Sequence, residues 1–261
     1  MSAERKTKVM SDEEKKLIAY HETGHALVGW ALPNADPVHK VTIVARGRSL
    51  GHTLALPTHD KYLVRRSELV DQLAMLLGGR VAEEIIYADP TTGAANDIEK
   101  ATSIARKMVM EYGMSDELGP MQYGRANGEV FLGRDYGRQQ DYSDEVAAFI
   151  DGEVRKMINA AHDEANEILS HHRDAMERMV AELLDHETVG PDEVAEIFND
   201  VPKWEHAEDG LRVRYPLDPQ PHPATRAAAE QADEDEPGIT TEVTVESPAR
   251  RPAARPADAG A

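Results

Sequence analysis

The chain has 261 residues, with 48 Asp and Glu against 29 Lys and Arg, a formal net charge of −19 and no cysteine. So acidic a balance argues against nucleic-acid binding and against a polybasic membrane patch. Without cysteine there are no disulfides or thiolate sites, so any metal must be held by His, Asp or Glu.

Aromatics make up 5% of the residues while Ala, Leu, Val, Ile and Met are plentiful, a composition that suits a mainly helical fold. There is no apolar run long enough to span a bilayer and no signal peptide, so the chain as given reads as soluble and cytosolic.

Ser11-Asp12-Glu13-Glu14 reads as a capping box, and Leu17, Ile18, Ala26, Leu27 and Trp30 follow as the apolar face of a helix that Pro33 ends. In the middle of this helix stands His21-Glu22-Thr23-Gly24-His25. Residues four apart share a helix face, so both imidazoles can reach one metal ion, with Glu22 beside them as a general base. Two neutral imidazoles and a third protein ligand leave a zinc ion an open position for water.

Val41 to Val44 and His52 to Leu56 are short β-type runs joined through Gly47 and Gly51, and together they predict a small hairpin closed by Pro57. Helical spacing returns from about Leu63 to Ile86, where Gly78-Gly79 signals either close helix packing or a break. Pro90-Thr91-Thr92-Gly93 is a loop, and Asn96 is a candidate cap for a helix from Asp97 to Tyr112 with Gly113 as its stop. A glycine-containing segment, Gly119 to Gly137, leads to helices at about Ser143 to Ser170, Asp174 to Asp185, and from Pro191 through Phe198, whose apolar stripes read as bundle core. Beyond about Glu205 the chain is Pro, Ala, Glu, Asp and Arg without periodicity, and is expected to be disordered. The expected division is a folded domain at 1–205 and a tail at 206–261.

The third metal ligand is not set by spacing. Ala31 and Val28 stand where a metzincin extension requires His and Gly. Glu83 and Glu84 on the next long helix, Asp97 at the start of the one after, and the hairpin residues His39, His52 and His59 remain as candidates.

Several blocks together resemble the proteolytic domain of the FtsH family, membrane-anchored ATP-dependent zinc proteases. They are Glu4-Arg5-Lys6, Ala19 to Ala26, Asp36-Pro37-Val38-His39 with Lys40 to Ile43, Arg46-Gly47-Arg48, Gly78 to Ile85, Thr92 to Ile98, Gly119-Pro120 and Phe131 to Arg134. In the family's order they cover about residues 3–201. The resemblance implies a helical zinc-metalloprotease domain with a small β-hairpin near the active site. It implies one Zn2+ per chain on His21, His25 and Asp97, with Glu22 as the catalytic base. Glu83 and Glu84 then become supporting residues, one of them a candidate hydrogen-bond partner of a zinc imidazole.

The resemblance further implies polypeptide substrates, a homo-hexameric ring, and attachment to the cytoplasmic face of the plasma membrane through N-terminal segments that this chain lacks. ATP would act only through an ATPase module, and no Gly-x-x-x-x-Gly-Lys-Ser/Thr loop occurs here. The chain is accordingly expected to be the protease part of a longer protein. The family commonly has Ala where this chain has Thr23, a change expected to be tolerated. The hairpin edge at residues 52–57 is expected to receive extended substrate.

Overall fold

The computed structural model describes residues 10–45, 51–57, 61–124 and 142–205, all of them within the unit Met1–Arg214. Helix α1 (Asp12–Ala31) starts where Ser11 accepts the Glu14 N–H at 3.2 Å and Glu14 accepts the Ser11 N–H at 3.0 Å. This is the expected capping box, and loss of such a cap costs about 1 kcal/mol.

From Ile18 to Gly29 every residue of α1 is buried, so the helix is the central post of the fold, enclosed by neighbours on all sides. Those neighbours are the strands β1 (Val38–Thr42) and β2 (His52–Ala55) and the helices α2 (Arg66–Tyr87), α4 (Asp144–His171) and α5 (Arg173–His186).

Helix α2 runs through Gly78-Gly79 without interruption. The glycines serve close packing instead of a break: a Cβ on Gly24 would run into the Gly78 carbonyl, and one on Gly78 would lie 2.6 Å from the Gly24 carbonyl oxygen. Two backbones can meet this closely only where neither carries a side chain. The helix begins at Arg66 and not at Leu63, because Arg65 is extended, and Leu63 stands exposed.

Helix α3 (Ala95–Met110) is preceded by a 3-10 turn at Thr92–Ala94, and Thr91 caps that turn by accepting the Gly93 N–H at 3.1 Å. Asn96 is therefore inside the first turn and caps nothing, contrary to the sequence expectation. The helix ends at Met110, two residues before Tyr112, and Gly113 turns the chain with φ +60°.

Ser143 caps α4, and of the expected stripes Ile150 to Ile168 on α4 and Met176 to Leu183 on α5 are buried core, whereas Val146 is half-buried and Leu184 exposed. The short helix α6 (Pro191–Ile197) opens on Pro191 as expected. The strands form one antiparallel sheet in the order β2-β1-β3, with β3 at Thr188–Val189. The hairpin of the sequence reading is thus present, with Val41 opposite Thr53. No alternation marks β3 in the sequence, because two residues are too few to show a period.

The end of the described chain closes α1. Lys203 Nζ donates to the carbonyls of Trp30 and, at 3.2 Å, Leu32, while the Trp204 N–H donates to Ala31 O at 2.9 Å. Three carbonyls at the C-terminal end of the helix thus gain partners. Burial pushes the Lys203 ammonium below its ordinary pKa, consistent with this enclosed position. Among the described residues no helix is long and apolar enough to cross a membrane.

Candidate metal centre

His21 and His25 lie one turn apart on α1, and Asp97 lies in the first turn of α3. Their Nε2, Nε2 and Oδ2 atoms converge: His21 to His25 is 3.1 Å, His21 to Asp97 3.5 Å and His25 to Asp97 3.4 Å. The set forms a group of three metal-type ligands within 4.8 Å of one another. Zinc bonds of about 2.1 Å in a tetrahedral arrangement separate ligand atoms by about 3.4 Å, so this triangle has the dimensions of a zinc site.

The chemistry of the donors fits a cation as well. His25 Nδ1 lies 2.8 Å from the Met75 carbonyl and His21 Nδ1 2.7 Å from Glu83 Oε1. Both partners can only accept, so each Nδ1 carries a proton, and in the neutral form of each ring the bare Nε2 lone pair is turned toward the other ring and toward the Asp97 carboxylate. Three electron-rich atoms in contact need a positive charge among them.

The same need shows in the protonation equilibria. Burial works against a charge on His21, but the hydrogen bonds of Asp97 and Glu83 outweigh it and hold the imidazole at a pKa of about 9. Burial would raise the Asp97 carboxyl, yet contact with His21 and His25 keeps it well below the usual carboxylate range. Glu83 is likewise held down by His21 and the Thr91 N–H against the effect of its burial.

Glu83 is fully buried and spans the two halves of the site, its Oε1 on His21 and its Oε2 accepting the Thr91 N–H beside the turn that leads to Asp97. Glu84 is directed elsewhere: its carboxylate pairs with His162 at 2.7 Å and with Arg80 at 2.8 Å. Among the hairpin histidines, His39 and His52 are exposed and outside the cluster, and His59 lies outside the described residues.

Gly79 is the position where α2 passes the imidazoles. A Cβ there would come within 2.6 Å of His25 Nε2 and 2.7 Å of His21 Nε2. Glu22 is also buried, with its carboxylate against β2: Thr53 Oγ1 donates to Glu22 Oε2 at 2.8 Å, and Gly51 passes so close that a Cβ there would be 2.5 Å from Oε1. Sequence reasoning missed Thr53, the Met75 carbonyl and the role of Gly79. Only the Gly78-Gly79 pair carried a local signal, and it left close packing and a break as alternatives.

Residues 8–197 match the profile of peptidase family M41. The chain belongs to peptidase family M41. Among its M41 relatives are proteins named ATP-dependent zinc metalloprotease FtsH. The protein of that name from Slackia heliotrinireducens is 56% identical over 196 residues, 75% of this chain and 25% of that protein. The one from Mycobacterium tuberculosis is 54% identical over 199 residues, 76% and 26% respectively. The one from Kosmotoga olearia is 51% identical over 214 residues, 82% and 32%.

The chain therefore spans about a quarter to a third of the length of the curated relatives it matches. The likeness to FtsH read from the sequence blocks is borne out, as is a mainly helical M41 domain with a small sheet at its site.

Proposed function

We propose that this chain is a zinc-dependent endopeptidase acting on unfolded or flexible polypeptides. The observation that carries the reading is the convergence of His21, His25 and Asp97 next to a buried Glu22 in an M41 chain. The two Nε2 atoms and Asp97 Oδ2 would hold the ion. When bound, zinc supplies Lewis-acid polarisation of a peptide carbonyl and lowers the pKa of water.

The chain's own residues do the rest. Glu83 and the Met75 carbonyl keep the Nδ1 protons in place, so that both Nε2 atoms remain acceptors. A Glu22 carboxylate oxygen takes the proton of the attacking water and then passes it to the departing amine nitrogen, so no proton is gained or lost overall. An extended substrate pairs with the edge of β2, where backbone hydrogen bonds are indifferent to sequence.

The same family resemblance supports a homo-hexameric ring, one Zn2+ per chain, and a membrane-anchored, ATP-driven whole whose ATPase and membrane segments are separate from these residues. Composition supports a division into a peptidase domain at 1–205 and an acidic tail at 206–261. The test is hydrolysis of unfolded casein by the purified chain with zinc. Cleavage that a chelator stops and added zinc restores supports the reading, whereas a zinc-loaded chain without hydrolytic activity overturns it.

A further inference from the structure

Thr53 occupies the second position from the loop end of the β1–β2 pairing, and its two sides face different things. The Leu56 N–H donates to Pro37 O at 3.1 Å on the β1 side, and the Ile43 N–H donates to Glu187 O on the β3 side. Period-two alternation then turns the main chains of His52 and Leu54 toward β1 and those of Thr53 and Ala55 toward the open edge of β2.

The side chain of Thr53 points the other way, to α1. Its hydroxyl lies 2.8 Å from Glu22 Oε2 and 3.0 Å from the Glu22 carbonyl oxygen. A hydroxyl has one proton to give, and the nearer, charged acceptor is the carboxylate. Gly51 closes off the space beside Oε1, so the carboxylate is held between a donor and a bare backbone.

We propose that Thr53 is a positioning residue for the reaction: its hydroxyl fixes the Glu22 carboxylate in the orientation that accepts the proton. The proposal rests on the reading of Glu22 as the base. Because the main chain of the same residue lies on the substrate edge, a polypeptide paired with β2 and the base are referred to one strand residue. Thr53 acts through Glu22 and does not touch the reacting atoms.

Thr53→Val keeps the shape, the strand propensity and the main-chain edge, and removes only the donor. In the zinc-loaded 261-residue chain acting on a fluorogenic unstructured peptide, it is expected to lower kcat about ten- to hundred-fold, as loss of alignment does, with KM and zinc content unchanged. Thr53→Ser, which restores the hydroxyl, is expected to recover most of kcat. Parental kcat in Thr53→Val, or an equal loss in Thr53→Ser, overturns the proposal.

A second measurement needs neither activity nor metal. In thermal melts of the metal-free chain, Thr53→Val is expected to lower Tm by about 2–4 °C more in the parent than in a Glu22→Ala background. Equal shifts in both backgrounds would mean that the hydroxyl serves only the carbonyl, which also overturns the proposal. Glu22→Gln serves as the control for the underlying reading: activity in that variant removes Glu22 as the base, while the melts still report whether Thr53 holds its carboxylate.

Discussion

Glu83, fully buried on α2, accepts the Nδ1 proton of His21 at 2.7 Å across 62 positions of sequence. This bond selects the tautomer that leaves Nε2 free to bind. Glu83→Ala is therefore expected to weaken zinc binding about 10–100-fold, measured by competition with a chromophoric chelator. An unchanged affinity would show that the imidazole is oriented by α1 alone.

Asp97→Ala is expected to lose the metal, because one corner of the triangle disappears. Glu84→Ala should retain it, since that carboxylate is engaged by His162 and Arg80. Metal content after dialysis distinguishes the two variants. A metal-free Glu84 variant beside a zinc-loaded Asp97 variant would reverse the assignment of the third ligand.

Glu22→Gln should keep zinc and lose hydrolysis by about 100-fold or more, the usual scale of a general base. The amide retains the size of the side chain but has no basic oxygen for the proton. Metal analysis and peptide cleavage on the same sample check this, and activity within tenfold of the parent would remove Glu22 from the role.

Gly79→Ala should impair metal binding although alanine is the better helix former by up to about 1 kcal/mol. The added methyl would lie 2.6–2.7 Å from the two Nε2 atoms that must converge. Isothermal titration with zinc checks it. Parental affinity would mean that α2 can shift away from the site at little cost.

Thr23 stands on α1 with a fully buried hydroxyl that has no hydrogen-bond partner. Thr23→Val is expected to raise stability by about 1 kcal/mol, seen as an increase in Tm of about 2–4 °C. A buried hydroxyl left without a partner costs stability that a methyl group in its place does not. A lower Tm in the variant would show that the hydroxyl is solvated.

What could be read from the sequence is what is local. Ser11 and Glu14 announce the start of α1 from three residues apart, and His21 and His25 define half of the metal site because a helix fixes their relation. Asp97 could not be told from Glu84 by spacing, since the choice depends on how α2 and α3 dock against α1. Resemblance to FtsH singled it out. Thr53, Met75 and Glu83 contribute through contacts that span 31, 50 and 62 residues, and none belongs to a pattern visible within its own segment. Asn96 misled for the opposite reason: it is a good cap by type, but Thr91 upstream starts an extra turn first.

The closure of α1 by Lys203 and Trp204 has a bearing on biosynthesis. The helix that carries both histidines leaves the ribosome well before its last carbonyls find their partners, more than 170 residues further along the chain. Asp97 must likewise be translated and docked before the triangle exists. A nascent chain thus carries the two histidines before it carries the complete triangle.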